Sequence, residues 1–253
     1  VNDDYTQWLY YRNITLNTSA SGANVTNLAT KFPVLVRLGA ADSLVFKNSQ
    51  KNGQDVRFSK STGVHFPYQI ERWDSAHKAA EIWVLADSVK GNDSTQYMKM
   101  YWGNAAAADS QKSVAVFDAA NGYQGVWHLN GATGATASDA TINAYNATPR
   151  GKGNGTNKPA DTTGIIGRAK YFNGGTDTGV TQRDTSYYIL LSSVSGNLNF
   201  SDSNGMYMVS AWVNTDTTFA IPGRDRSIVD KGNNQYDLQI GSADPGNPSN
   251  PVP

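Results

Sequence analysis

The sequence of 253 residues contains no cysteine, only three histidines, and equal numbers of basic and acidic side chains, 21 of each. The absence of cysteine excludes a disulfide scaffold and any thiolate metal site. A formal net charge of zero argues against a general nucleic-acid binder, because such proteins need a basic face to displace counterions from phosphates. We therefore expect no nucleic-acid partner.

Long apolar runs are also missing. The longest, residues 32–38, is interrupted by Arg37 and is far shorter than the roughly 20 residues that cross a bilayer, so we expect no membrane span. Charged residues make up only 17% of the chain, whereas it contains 24 glycines, 13 tyrosines and 6 tryptophans. This composition, with its abundant Asn, Ser and Thr, favours a secreted or cell-surface, extracellular location.

Motifs for catalysis are absent as well. The sequence has no HExxH, GxSxG or P-loop pattern, and its histidines show no metal-ligand spacing. His128 follows Trp127 in a strand-like segment, a context typical of a structural residue. The pattern favours a chain that is not an enzyme.

One pair of carboxylates, Glu71 and Asp74, is flanked by aromatic residues, as in glycoside hydrolases that use two acids. Positions three apart on a strand point to opposite faces, so the two carboxylates need a bulge to converge. We expect them instead to form salt bridges with Arg57 or Arg72.

The dominant local pattern is that of short strands. Alternating or β-branched runs recur between Gly, Asn, Asp and Pro, which indicates β-sandwiches or barrels. The predicted fold class is therefore all-β, with two β-sandwich domains. Helical signals are rare, and the only candidates are the alanine-rich residues 104–109 and a turn at 110–116. The predicted strands are residues 8–16, 32–38, 56–59, 68–73, 81–85, 96–102, 125–129, 169–172, 187–191, 206–215, 227–231 and 236–240.

A change in composition near residue 115 predicts a domain boundary. We assign residues 1–117 to a first domain and 118–243 to a second. The last stretch, 244–253, is a proline-rich linker, because proline cannot donate to a sheet ladder. Residues 131–161 carry no pattern of their own and predict a long loop, which in a compact domain is usually functional or disordered.

Several motifs of the first half occur in a recognisable order: FPVLVRL, GQDVRFSKSTGVHFPYQIERWD, AEIWVLADSV and QYMKMYWGN. This series resembles an uncharacterised family of bacterial and archaeal surface proteins that is catalogued as a domain of unknown function and sometimes encoded near ExbB/TolQ-type channels. The resemblance covers roughly residues 5–117. It implies an exported β-sandwich and carries no known activity.

The second half resembles a laminin-G-like, concanavalin-A-like jelly roll over roughly residues 123–240, through GVWHLNG, DATINAYNATP, IGRAKYFNGG, YYILLS, VSAWVNT and SIVDKG. The resemblance implies that GVWHL and SAWV are core strands and that DATINAYNA forms a turn. It also implies glycan or protein ligands, in some members with calcium. A complete jelly roll of this type is expected to continue past Ile240, so the domain is predicted to be incomplete.

Aromatic residues supply the candidate ligand-binding site, because rings near strand ends or loops are often binding elements. Trp83, Trp127 and Trp212 lie among apolar neighbours and predict core packing instead. Packing between domains is an equally open role for each candidate. The candidate ligand-binding residues are Trp73, Trp102, Tyr145, Tyr187 and Tyr188.

Loops of the second half carry oxygen donors suited to calcium, which takes about six to eight oxygen ligands. The same side chains also suit Asx-turns, and this alternative stays open. No EF-hand or RTX spacing is present. Calcium is the predicted cofactor, and its candidate ligands are Asp139, Asn143, Asn173, Asp177 and Asp184.

The leading functional hypothesis is a non-catalytic exported module that binds a polysaccharide or other glycan, or mediates surface adhesion. The alternative is a structural or assembly subunit of a cell-surface fibre or adhesin, which meets a protein partner or a second copy through an exposed sheet edge. A third hypothesis is a set of accessory modules from a polysaccharide-degrading enzyme whose catalytic domain lies outside this chain.

Overall fold

The computed structural model describes residues 4–151, 158–172, 188–191, 198, 207–215, 226–230 and 237–240. The chain divides into two compact units, Val1–Ser193 and Val194–Pro253. Most of the described secondary structure is antiparallel β-sheet, with few helices. This agrees with the predicted all-β class, whereas the two-sandwich architecture stays a prediction.

Strands and helices follow one another in a simple order. The strands are β1 (Tyr10–Thr15), β2 (Ala29–Leu38), β3 (Arg57–Lys60), β4 (Tyr68–Asp74), β5 (Ala79–Val89), β6 (Tyr97–Trp102), β7 (Ala147–Arg150), β8 (Ala160–Thr163), β9 (Arg168–Tyr171), β10 (Tyr188–Leu191), β11 (Arg226–Asp230) and β12 (Asp237–Ile240). The α-helices are α1 (Ser43–Asn48) and α2 (Ser113–Val116), and short 3-10 turns occupy Tyr5–Gln7, Ala40–Asp42 and Ala119–Asn121.

The first six strands form two three-stranded antiparallel sheets, ordered β1-β6-β3 and β2-β5-β4. Each of the six lies where the sequence predicts a strand. Alternation along β6 explains which face is buried: Met98, Met100 and Trp102 point into the core, and the intervening residues point outward.

One hydrophobic core joins the inner faces of the two sheets. Phe58, Tyr68, Ile82, Met98 and Met100 are at most 1% exposed, and they come from both sheets. Each such side chain contributes about 1.5–3 kcal/mol through burial. The first part of the chain is therefore a two-sheet sandwich held by a continuous apolar layer.

A buried carboxylate closes one end of the sandwich. Asp55 is fully buried, and its side chain accepts hydrogen bonds from the backbone N–H groups of Gln50, Gly103 and Asn104 at 2.8–3.1 Å. Three satisfied donors explain how this charge is tolerated away from water. The side chain ties the loop before β3 to the end of β6.

The helix predicted at residues 104–109 is wrong, because the structure has no helix there. Helix α2, Ser113–Val116, lies within the other candidate, the turn at 110–116. The side chains of Asn104 and Asp109 accept hydrogen bonds from the backbone N–H groups of Ala106 and Gln111. Such local bonds compete with helix formation. Helix α1 was not predicted from the sequence.

The segment after α2 packs on the outer face of the sheet β2-β5-β4. Val116, Phe117 and Ala140 form a second small cluster together with Trp83 of β5 and Val126. Beyond it, β7 pairs with β10 and β8 pairs with β9. The proposed division into domains 1–117 and 118–243 stays a prediction.

In the second unit, β11 pairs with β12. Residues 207–215 form no strand, and Trp212 is 79% exposed, so the predicted core strand at 206–215 is wrong for this part of the chain. A strand needs a ladder partner, and the described residues form no strand ladder with this segment. In the first unit, the predicted strand at 125–129 is also not formed in full: only an isolated bridge between Trp127 and Asp139 is present.

The longest helix among the described residues has six residues, which is too short and too polar for a bilayer crossing.

Candidate functional site

The tryptophans predicted to bind ligand are packed against other residues. Trp102 is 7% exposed within the core, and its ring stacks on Tyr10 with centroids 5.8 Å apart. Trp73 is half-buried against Phe46, with centroids 5.0 Å apart, and its indole N–H donates to Ser75 Oγ. Both rings contribute to the packing of the first sandwich.

The three tyrosines predicted to bind ligand lie in different parts of the chain. Tyr145 is half-buried, its carbonyl accepts from the indole of Trp127 at 2.7 Å, and its backbone N–H donates to Asp139. The backbone of Tyr188 pairs with Arg150 in the β7–β10 ladder. Tyr187 and the side chain of Tyr188 lie outside the described residues, so their role in binding stays a prediction.

Asp139 organises the turn of the DATINAYNA segment. One carboxylate oxygen accepts from the backbone N–H groups of Val126 and Thr141, and the other accepts from Thr141 Oγ1 and the Tyr145 N–H, all at 2.7–3.0 Å. The Asp139 N–H in turn donates to Asn146 Oδ1. This candidate calcium ligand is thus the centre of a hydrogen-bonded loop.

Of the other candidate calcium ligands, the structure describes only Asn143. Asn143 is half-buried and donates from its amide to the Gln124 carbonyl at 2.9 Å. Asn173, Asp177 and Asp184 lie outside the described residues. Within the described ranges, no three His, Asp or Glu side chains gather in a way that could hold a metal ion. Calcium binding stays a prediction.

An exposed aromatic surface occurs where the sequence did not place one, on the outside of the sheet β1-β6-β3. Alternation turns Tyr11 and Asn13 of β1 outward, together with Tyr97, Lys99 and Tyr101 of β6. Register puts Tyr11 opposite Tyr101 and Asn13 opposite Lys99. We call these five outward side chains the aromatic face.

Two rings of the aromatic face are accessible. Tyr11 is 65% exposed and Tyr97 is 36% exposed, and the two mark its ends, about 14 Å apart at 3.4 Å per residue. The Lys99 ammonium lies 5.9 Å from the centroid of the Tyr11 ring, as a cation over its face. A sequence signal existed in QYMKMYW, where aromatic or polar residues alternate with the core residues Met98, Met100 and Trp102.

The amino-terminal segment covers part of the same outer face, on the side of β3. Tyr5 stacks on Tyr101 with centroids 4.2 Å apart and planes 7° from parallel, and its hydroxyl lies 3.1 Å from His65 Nδ1. Trp8 donates to the Asp55 carbonyl, and the guanidinium of Arg57 lies 5.2 Å from the Trp8 ring. These contacts bury Tyr101, so the accessible part of the aromatic face is limited to the other side chains of β1 and β6.

A bulge in β4 determines the direction of Glu71. The pairing of β4 with β5 shifts register between Ile70 and Arg72, which leaves Glu71 as the extra residue. Glu71 therefore shares the outer face of the sheet with Arg72, rather than alternating with it.

The Glu71 side chain is 2% exposed and lies in a polar cluster on this outer face. Its Oε2 accepts from the indole N–H of Trp83 at 2.6 Å and lies 3.2 Å from Nδ1 of His128. The other ring nitrogen of His128 lies 3.2 Å from Oε1 of Gln69. The cluster joins the segment around residue 128 to β4 and β5.

The salt bridges expected for Glu71 and Asp74 are wrong in their partners. Arg72 forms a two-point ion pair with Glu81, at 2.6 and 2.7 Å, and hydrogen bonding to Glu81 raises the pKa of Arg72. Asp74 accepts from the backbone N–H of His77 and contacts its ring, and these bonds lower the pKa of Asp74. The bulge explains the exchange, because it aligns Arg72 with Glu81 on the outer face.

Arg57 is likewise engaged elsewhere. It is 3% exposed, and it donates to the carbonyls of Gln54, Val56 and Ala108 and to the Tyr68 hydroxyl. The two carboxylates, Glu71 and Asp74, thus have separate partners.

Comparison with known proteins gives one match. Residues 52–149 match the family model described as domain of unknown function DUF2341. This supports the prediction of an uncharacterised domain in the amino-terminal half, and the matched range runs from β3 through the Asp139 turn. No curated protein and no solved structure matches the chain. The laminin-G-like resemblance of the second half and the ExbB/TolQ context stay predictions.

Proposed function

We propose that this chain is an exported, non-catalytic module that binds a glycan through the aromatic face of its first sandwich. The observation that supports this is the pair of accessible rings, Tyr11 and Tyr97, on a regular sheet with Asn13 and Lys99 between them. Rigid, amphipathic tyrosine rings give large contact areas at small entropic cost and keep a hydroxyl for hydrogen bonding.

The polar groups between the rings suit a hydroxylated ligand. Asn13 offers both a donor and an acceptor, and the ammonium of Lys99 offers donors to hydroxyl oxygens. The chain has no net charge, so rings and neutral groups would dominate association. Affinity is expected to depend only weakly on salt.

The non-catalytic part of the proposal is supported by the surroundings of the acids considered for hydrolysis. Glu71 accepts from Trp83 beneath the segment that carries His128, whereas Asp74 belongs to a hairpin turn with His77. Their partners differ, and neither carboxylate belongs to the aromatic face.

We also propose that residues 118–243 form the second sandwich, a concanavalin-A-like jelly roll. The antiparallel pairs β7–β10, β8–β9 and β11–β12 support an all-β second domain, as does the turn built on Asp139. An experimental structure of the chain, in which the strands of this region either form two packed sheets or do not, tests this assignment.

Binding to insoluble polysaccharides and to a glycan array tests the functional proposal. We expect Tyr97→Ala to weaken binding about tenfold, which corresponds to 1.4 kcal/mol, and Tyr11→Ala to act similarly. Tyr171→Ala is the matched control, because Tyr171 is 59% exposed but lies in β9, away from the aromatic face. Circular dichroism confirms that each variant is folded.

Two results would overturn the proposal. A folded chain that binds no polysaccharide contradicts glycan binding altogether. Binding that is insensitive to Tyr11→Ala and Tyr97→Ala, but lost in Tyr187→Ala or Tyr188→Ala, contradicts the aromatic face and moves the site to the second half.

A further inference from the structure

The two sheets of the first sandwich have four edges, and within the described residues three of them are protected. The edge of β3 is covered by residues 64–66: the N–H of Lys60 donates to the Val64 carbonyl, and the N–H of Phe66 donates to the Phe58 carbonyl. Unpaired edges invite pairing with other chains, so such cover is a common protective device.

The edge of β4 is covered in the same way by residues 111–112. The N–H of Lys112 donates to the carbonyl of Tyr68, and the N–H of Ile70 donates to the side chain of Gln111. The outward carbonyl of Tyr68 and the outward N–H of Ile70 therefore each have a hydrogen-bond partner.

The edge of β2 is blunted by its own sequence. The hydrogen bond from the Leu85 N–H to the Pro67 carbonyl fixes which residues of β5 face β4, and therefore which residues of β2 face away from β5. Pro33 is one of these outward residues, so its missing N–H removes a donor from the edge. Lys31 and Arg37 add exposed positive charge to the same strand.

The edge of β1 is neither covered by another described segment nor interrupted by a proline. The Leu16 N–H donates to the Gln96 carbonyl at 2.9 Å, so by alternation Arg12 and Ile14 bond to β6. The backbone groups of Tyr11, Asn13 and Thr15 therefore point away from β6. Among the described residues nothing hydrogen bonds to them, and β1 contains no proline. We call these outward backbone groups the β1 edge.

We propose that the β1 edge pairs with the β1 edge of a second copy of this chain, antiparallel and centred on Asn13. The two three-stranded sheets would then become one six-stranded sheet across a two-fold axis. This inference does not depend on glycan binding.

Self-pairing in this register is chemically compatible. Tyr11 faces Thr15 of the second copy, an aromatic and β-branched pair of the kind that stabilises antiparallel strands. Arg12 is the charged residue of β1; it already pairs with Asp42 at 2.6 Å, and it would lie opposite Ile14 of the second copy. The two Lys99 side chains would be three strand spacings apart, about 14 Å, where salt screens their repulsion.

Light scattering coupled to size-exclusion chromatography tests the pairing, from micromolar to several hundred micromolar protein. We expect a concentration-dependent dimer for the native chain. Asn13→Asp and Asn13→Lys place like charges opposite each other at the axis, so each variant alone should be about tenfold or more weaker in dimerisation. An equimolar mixture of the two should regain a one-to-one dimer, because the opposite charges then meet.

Asn52 supplies the matched control, since it is an exposed asparagine in a turn away from the β1 edge. Asn52→Asp and Asn52→Lys should leave dimerisation unchanged. Asn13→Pro is a further variant: the Asn13 N–H points outward, so proline preserves the bonds to β6 while it removes a donor from the β1 edge.

A chain that stays monomeric at every concentration overturns the proposal, and so does a dimer that persists unchanged in Asn13→Asp, Asn13→Lys and Asn13→Pro. The measurement uses no polysaccharide, and Tyr97→Ala should leave the dimer intact. Failure of dimerisation and failure of glycan binding are therefore distinguishable.

Discussion

Nδ1 of His128 lies 3.2 Å from the carboxylate of Glu71, in a cluster where the histidine side chain is 10% exposed and the glutamate side chain 2%. These two residues connect the segment after α2 to the sheet β2-β5-β4. The same carboxylate oxygen accepts from Trp83. Removing Glu71 from this buried polar group would leave the indole N–H of Trp83 without its acceptor, which is the costly case.

We expect Glu71→Ala to lower the free energy of unfolding by about 2–3 kcal/mol, because the indole N–H of Trp83 loses its acceptor. Glu71→Gln should recover part of the loss, since its amide oxygen still accepts from Trp83. Asp87→Ala is the control, because Asp87 pairs with Lys60 where both side chains are 41% exposed, and such pairs contribute at most about 1 kcal/mol. Denaturant unfolding that shows equal losses for Glu71→Ala and Asp87→Ala contradicts this prediction.

Asp139→Asn tests the turn that precedes β7. The asparagine amide would face two groups that now donate to Asp139, including the N–H of Tyr145. We expect the free energy of unfolding to fall by about 2–3 kcal/mol, the range for hydrogen bonds to a charged group. Asn143→Ala removes a single bond to the Gln124 carbonyl and should cost about 1 kcal/mol.

Calcium separates the two roles considered for Asp139. If the carboxylate acts through its four hydrogen bonds, the loss measured for Asp139→Asn is the same with calcium and with chelator. A loss that appears only in the presence of calcium would assign Asp139 to the metal instead.

Gly53 and Gly63 provide a matched pair of substitutions. Both have positive φ, +71° and +92°, so alanine is strained at each position by about 1–2 kcal/mol. A Cβ on Gly53 would also lie 2.6 Å from the Trp73 ring, whereas nothing lies within 4 Å of one on Gly63. We expect Gly53→Ala to cost about 1–3 kcal/mol more than Gly63→Ala. Equal melting curves for the two variants would show that the Trp73 ring yields freely.

Asp42 makes part of the stability depend on pH. Burial alone would raise its pKa, but the N–H of Gly39 and the guanidinium of Arg12 outweigh burial and lower it. Because the folded pKa lies below the unfolded value near 4, the stabilisation is complete above about pH 4. It is lost as the pH falls through the folded pKa.

We therefore expect Asp42→Asn to cost about 0.5–1 kcal/mol at neutral pH and progressively less in acid. Unfolding of both proteins at several pH values checks this. In an Arg12→Gln background the pH dependence of the difference should shrink. A difference that stays constant into strong acid would contradict the assignment.

The strands of the first sandwich were predictable because their alternation is regular. In YMKMYW and EIWVL, every second residue is apolar and buried in one shared core, so the local pattern and the tertiary packing agree. By contrast, residues 206–215 carry a similar pattern but have no described ladder partner. Strand formation depends on pairing as well as on sequence.

The accessible aromatic rings were harder to predict. Trp73 and Trp102 were selected for their position near strand ends, yet packing against Phe46 and Tyr10 occupies them. The sequence did not predict the outward position of Tyr11 and Tyr97, although Tyr97 precedes the alternating core residues Met98 and Met100. Residue type alone does not distinguish a core ring from an accessible one, because burial depends on what the facing sheet supplies.

The sequence by itself determined the all-β class, the first six strands and the family resemblance of the first half, because these depend on local alternation and on ordered motifs. Tertiary structure decided the rest. The bulge at Glu71 turned Arg72 toward Glu81, and the order of strands left β1 as an uncovered edge. Such features depend on contacts between residues that are distant in the sequence, and a local pattern does not specify which strands become neighbours.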